Sequence, residues 1–263
     1  GSATVTEAQL EILDGATVST TELNLLDGKA ATNLALLGKT EGTNFTDSLL
    51  VGHATTGTLN AAIQNTGVGI DVLDALTSGD KNTAVGYAAG GLINSGANNT
   101  AMGNLAAQNI TTGQNNTYIG QTAGGKNVTG NNNVAIGGGA LYGAANQSNS
   151  NNTAIGLIAL TAVTTGVNNI GVGYGAGDNI TSGDGNVIIG SINADSATGD
   201  KQLIIADGVD GSVAWIKGDS SGNLTFGGTI TVGSATVTEA QLEILDGATI
   251  TTTELNLIDG GAT

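Results

Sequence analysis

With 263 residues, 44 of them glycine, only 3% aromatic and no cysteine or proline, the chain lacks the large anchors of an ordinary globular core and any disulfide or thiol chemistry. Its 22 acidic residues against 6 basic ones give a net charge of −16, which disfavours nucleic acid and anionic membranes as partners, because phosphate binding needs clustered Lys and Arg. A β-branched periodicity and a positive mean hydropathy argue against disorder, and no apolar run reaches the length of a membrane span.

Residues 1–28 hold a 13-residue repeat, in which Val5–Gly15 returns as Val18–Gly28. Thr6 with Gln9, and Ser19 with Glu22, have the spacing of a capping box, and Asp-Gly closes each unit. The pattern predicts short helix-turn linkers. Two-turn helices are marginal alone, so Leu10, Leu13, Leu23 and Leu26 are expected to pack against another copy of the chain. Residues 29–64 are a transition in which Ser48–Gly52 reads as a strand. His53 is the only histidine and has no ligand cluster beside it, so it reads as structural. No cofactor is expected; an axial ion at His53 would require three copies to meet on a three-fold axis.

Residues 65–191 are the organising block. Asn-Thr-Ala-Val/Ile-Gly recurs from Asn65, Asn82, Asn99, Asn116, Asn133, Asn152, Asn169 and Asn186, in steps of 17 residues with one of 19. A strict short period marks a solenoid, here eight coils of two short strands and two turns each. The second strand is expected around Ile110–Thr112 and Asn127–Thr129. The eight asparagines are expected to form an amide ladder, with a hydroxyl ladder of Thr beside it. Gly79, Gly96, Gly113, Gly130, Gly166 and Gly183 share one place in the repeat and predict a turn of positive φ. Ala and Val/Ile lie on opposite faces of the strand, yet both are apolar. The strand is therefore expected to be buried twice: Ala inside its coil, and Val68, Val85, Met102, Ile119, Ile136, Ile155, Val172 and Ile189 against other subunits of a homotrimer.

Residues 192–232 break the rhythm and predict three strands, with Trp215 and Phe226 forming a small aromatic core that closes the stack. Residues 233–263 restart the linker repeat: 233–249 are identical to 1–17. That identity predicts a segment of a longer fibre, joined to adjoining segments like itself.

Asn82–Gly90, Asn151–Gly156 and the 17-residue spacing resemble the repeats of bacteriophage tail fibres. They are also similar to the head repeats of trimeric autotransporter adhesins. The Val-Thr-x-x-Gln/Glu-Leu-x-x-Leu-Asp-Gly unit resembles tandem linkers of aquatic phage structural proteins, and Trp215–Leu224 resembles the segment following such repeats. The resemblance implies an all-β, parallel β-solenoid or β-roll in an elongated homotrimer, located on a virion, with a host surface receptor as a further partner. The alternative is a bacterial cell-surface adhesin or self-assembling extracellular filament.

No catalytic constellation is visible, and enzymatic activity is not expected. A single His removes most nucleophile–base pairs. Asp71 with Asp74, and Asp178 with Asp184, fall at turns, where Asp is the ordinary residue. Tyr87 and Tyr174 share one repeat position five coils apart, too far to form one stacking platform.

Overall fold

The computed structural model describes residues 38–39, 44–52, 56–143, 148–228, 230–232 and 235–237. It is all-β, with fifteen strands and no helix among the described residues. Both copies of the linker repeat fall outside them, except for Ala235–Val237, and so do Leu10, Leu13, Leu23, Leu26 and His53.

Among the described residues the first strands are β1 (Gly38–Lys39) and β2 (Leu49–Val51). One strand per repeat follows: β3 (Thr66–Val68), β4 (Thr83–Val85), β5 (Thr100–Met102), β6 (Thr117–Ile119), β7 (Val134–Ile136), β8 (Thr153–Ile155), β9 (Ile170–Val172) and β10 (Val187–Ile189). Then come β11 (Leu203–Ala206), β12 (Ala214–Gly218) and β13 (Leu224–Phe226), and a separate hairpin of β14 (Ile230–Val232) with β15 (Ala235–Val237). Strands β1 to β13 form one sheet in sequence order. Every pairing from β2 to β11 is parallel, whereas β1 at one end and β12–β13 at the other are antiparallel.

The parallel run makes about nine turns rather than the eight coils expected. The solenoid starts at Leu49, inside the supposed transition, and ends at β11, because Ser48 and Gln202 stand where the repeat has asparagine. Nine steps of about 4.8 Å make a stack about 43 Å long.

Each coil has one three-residue strand, not two. The opposite wall is held coil to coil by backbone bonds gathered on one carbonyl of the next coil: Thr77, Ser78 and Gly79 N–H donate to Asn94 O (2.9–3.1 Å), Asn94, Ser95 and Gly96 N–H to Thr111 O (3.0–3.2 Å), and Thr111 N–H to Val128 O (2.9 Å). A strand cannot form there, because the approach to that wall alternates in and out of the left-handed region. Ala88 and Gly90 have φ of 50° and 58°, Leu105 and Ala107 58° and 53°, and Ile158 and Leu160 54° and 50°. The glycines expected to need positive φ do not have it. An added Cβ on Gly79, Gly96 or Gly113 would run into the carbonyl oxygen of the next glycine in its column, so close stacking is what selects them. The left-handed turn residue is instead the one preceding each ladder asparagine, among them Asn98, Asn115 and Asn132, each with φ of 58°. Asparagine tolerates that region better than most residues, which accounts for the Asn-Asn doublets.

The interior is thin and stacked. Ala84, Ala101, Ala135 and Ala154 point inward from the strands and are buried, facing columns that include Ala89, Ala106, Ala123, Ala140, Ala159 and Ala176 and the run Leu76, Ile93, Ile110, Val163 and Ile180. Size is compensated across this core. Where the strand carries Tyr118 or Ile188, the turn opposite carries Gly124 or Gly177; where the strand carries Gly171, Leu160 fills the space. Tyr118 is fully buried, and burial pushes its phenol well above the usual tyrosine range. Its hydroxyl donates to Asn116 Oδ1 (3.3 Å) and accepts from Asn127 Nδ2 (3.2 Å).

Candidate functional site

The feature from which function can be argued is the outward face of the sheet. In a three-residue strand the first and third side chains share a side, and the second lies on the other. From β2 to β11 the second residues are buried, so the first and third look out, and the pairing carries the same columns onto β12 and β13. Following the pairing from strand to strand, the third positions run Val51, Val68, Val85, Met102, Ile119, Ile136, Ile155, Val172, Ile189, Ile205, Ile216, Phe226. All twelve are apolar, and none is buried. The parallel column of first positions runs from Leu49 through Thr66, Thr83, Thr100, Thr117, Val134, Thr153, Ile170 and Val187 to Leu203, then Gly218 and Leu224. The eight residues expected at a trimer contact are thus the middle of a longer row. The threonine hydroxyls form no ladder, because neighbouring strands stand about 4.8 Å apart, beyond hydroxyl hydrogen-bond reach of about 3 Å.

The face continues over the meander, and there one expectation fails. Trp215 and Phe226 do not build an aromatic core: they are 54% and 45% exposed. Ile216 pairs with Ile205 on one side and with Phe226 on the other, so the meander lengthens the apolar face instead of plugging the stack.

Behind this face, eight asparagines keep the coils in register. All eight are buried. From Asn82 onward, the backbone N–H of each donates to Oδ1 of the preceding one at 2.9–3.1 Å. In most coils Nδ2 also donates to that oxygen, as from Asn82 to Asn65 (3.1 Å) and from Asn116 to Asn99 (3.0 Å). Nδ2 then bridges to the facing turn, as from Asn65 to Gly79 O, Asn99 to Gly113 O and Asn169 to Gly183 O at 2.8–2.9 Å. From Asn65 to Asn169 each amide therefore fastens its own coil shut as well as joining coils, a role that spacing alone does not reveal.

Two further members were missed because their residue type differs. Ser48 Oγ accepts from Asn65 N–H (2.7 Å) at the start, and Gln202 donates from Nε2 to Asn186 Oδ1 (3.1 Å) at the end. Gln202 Oε1 turns back to Ser196 N–H (2.8 Å), so the ladder stops there. A second, interrupted ladder runs the other way along a turn column. Asp80 accepts from Ile63 N–H (2.9 Å), Asn131 from Gln114 N–H (2.8 Å), Asp184 from Val167 N–H (2.7 Å) and Asp200 from Asp184 N–H (2.8 Å). Asp184 is thereby committed to a structural bond.

In the β11–β12 turn, Asp207 collects backbone N–H donors from Val213 (2.8 Å), Val209 (2.9 Å), Asp210 (3.1 Å) and Gly211 (3.2 Å). These bonds hold its carboxyl at about 2, below the usual carboxylate range. Asp219 is lowered in the same way, chiefly by Asn223. Among the described residues no group of three or more His, Cys, Asp or Glu could hold a metal ion, and no helix is long and apolar enough to cross a membrane. No family model matches the chain, and neither the curated proteins nor the solved structures contain a significant match to it.

Proposed function

We propose that the chain is a structural segment of an elongated homotrimeric fibre, giving reach and rigidity to an attachment organelle on a virion. The observation that carries this reading is the twelve-residue apolar column on the outward face. From β2 to β13 the face measures about 53 Å by about 10 Å, on the order of 500 Å², a size at which exposed apolar patches mark interaction sites. With 22 acidic residues available, the chain keeps charge off this row over its full length. A second copy running in the same direction offers the same row at the same 17-residue rhythm, so copies arranged about an axis along the stack match coil for coil. Closed symmetry also limits the assembly, whereas an open arrangement would aggregate. Three copies are what the resemblance of the repeats implies; it fits a viral fibre and a bacterial surface adhesin alike, and the viral fibre is the reading proposed.

The test is the mass of the purified chain in solution by sedimentation and mass photometry. The expected result is a trimer. Val85→Asp, Ile119→Asp and Ile136→Asp together are expected to give monomers that keep the β-sheet circular dichroism spectrum, since each half-exposed side chain contributes about 1 kcal/mol when covered and a buried carboxylate reverses that. A folded wild-type monomer would overturn self-association, a dimer would overturn the three-fold part, and normal assembly of the triple variant would show that another face is used.

A further inference from the structure

We infer that a cleft at the C-terminal end of the stack, around Tyr174, binds one pyranose ring of a neutral saccharide. Tyr174, Gly175, Asp178, Ser191, Ile192, Asn193 and Asp210 line it, and it encloses about 260 Å³. That is slightly below the range of small-molecule clefts, about 300–1,000 Å³, and suits a single sugar ring.

Three elements build it. Gly173, with φ of 134°, turns the chain off β9 and sets Tyr174 around the corner from the apolar face, 58% exposed. The next coil supplies Ser191, Ile192 and Asn193. The β11–β12 turn, pinned by the four backbone bonds to Asp207, brings Asp210 to the rim. None of the lining residues belongs to either outward column, so the cleft is distinct from the proposed assembly face and does not depend on that reading.

The polar groups at the cleft are unspent. Asp178 is partly buried, and its carboxylate accepts no hydrogen bond among the described residues. The Asn193 amide and the Ser191 hydroxyl are likewise unengaged there, while Asp210 uses one oxygen on Ser212 N–H (3.0 Å). Gly175, with φ of 60°, has no side chain to cover the floor, where an added Cβ would lie 3.5 Å from Asp178 Oδ2. An exposed aromatic ring beside a carboxylate, an amide and a hydroxyl is the chemistry that recognises a pyranose. The ring takes the sugar's C–H face, whose positive edge suits the π cloud, and the polar groups exchange hydrogen bonds with adjacent hydroxyls. Two carboxylates on a chain of net charge −16 disfavour an acidic sugar. Tyr87 provides an internal comparison. It occupies the same repeat position and is also exposed, but Asn104, Leu105 and Ala106 follow it in the next coil, and Gly91 stands where Asp178 stands beside Tyr174.

The test is saturation-transfer NMR on the full chain with the methyl glycosides of glucose, galactose and N-acetylglucosamine, and with methyl glucuronide as the acidic comparator. Transfer to the ring protons of at least one neutral glycoside is expected, with none to the glucuronide. Tyr174→Ala should weaken binding about tenfold, as truncation of an aromatic anchor does, and Asp178→Asn should weaken it several-fold. Tyr87→Ala should leave it unchanged. Absence of transfer from all three neutral glycosides, equal transfer to the glucuronide, or binding that survives Tyr174→Ala would each overturn the assignment. Because every outcome is read independently of oligomer mass, a failure here leaves the fibre reading standing, and the reverse also holds.

Discussion

Asn116 offers the sharpest test of what holds the stack together. Its Oδ1 accepts from Asn133 N–H (2.9 Å) and Asn133 Nδ2 (3.1 Å), and its Nδ2 donates to Asn99 Oδ1 (3.0 Å) and Gly130 O (2.9 Å). Asn116→Ala strips three buried groups of a partner: the Asn133 N–H, the Gly130 carbonyl and the Tyr118 O–H, which donates to Asn116 Oδ1. Asn133 Nδ2 keeps its bond to Asn149 O and Asn99 Oδ1 keeps the Asn116 N–H, so neither is stranded. At about 1–3 kcal/mol for each such group, the expected loss is about 6 kcal/mol, a large part of the stability of a typical domain. Asn116→Ser should recover about 2 kcal/mol of this, because a hydroxyl can take the Asn133 N–H as Ser48 Oγ takes that of Asn65, but cannot reach the facing turn. Asn116→Asp keeps the shape yet sets a buried oxygen against the Gly130 carbonyl, and should be worse than alanine at neutral pH. Urea unfolding at one fixed protein concentration gives the energies, and amide hydrogen exchange at Asn133 reports the local opening. An alanine variant within about 1 kcal/mol of the parent, with Asn133 exchange unchanged, would refute the ladder as a source of stability; so would a serine variant no better than alanine.

Further predictions test the core, the meander and the outward face. Gly124→Ala should cost about 2–4 kcal/mol in urea unfolding, because the new Cβ meets the Tyr118 ring at a left-handed φ of 60°; in a Tyr118→Ala background the added cost should fall to the backbone strain alone, about 1 kcal/mol. The Asp207 carboxyl is lowered in the folded chain to about 2 from the ordinary 3.8, so its contribution is complete above pH 3.8 and is lost as the pH falls through about 2. Asp207→Asn should flatten that limb of the acid-unfolding curve, and an unchanged curve would count against the pinned turn. Trp215 is the only tryptophan, is exposed and adjoins Ile216 of the apolar row, so its emission should shift to the blue when diluted chains reassociate, and should not shift in the triple aspartate variant.

Much of this was legible because chemistry recurs at a fixed spacing. The asparagine column and the apolar strand faces needed only counting, since inward Ala and outward Val/Ile follow from strand alternation. The turns were not legible. Leu105, Ala107, Ile158 and Leu160 adopt left-handed φ although nothing in their side chains favours it, and inter-coil hydrogen bonds hold them there. A second strand was therefore read into a wall that is a series of turns. The ends were hidden for a chemical reason, because Ser48 and Gln202 perform the asparagine's task with different side chains. The meander misled through the usual habit of aromatic residues to bury, which here would require a partner. Of the cleft, Tyr174 was visible as an isolated aromatic, but its polar neighbours come from the following coil and from a loop after β11 that only folding brings together.

The ladder has one more property. Each amide is satisfied by its own coil and the coils on either side of it, so a coil carries no information about how many others exist. Removing residues 99–115, which joins Asn98 to Asn116, restores every bond type at the new junction and shortens the stack by one step of about 4.8 Å. Length in this molecule is thus a countable quantity, adjustable in whole units by duplication or loss of 17-residue blocks, while Ser48 and Gln202 mark where the counting begins and ends.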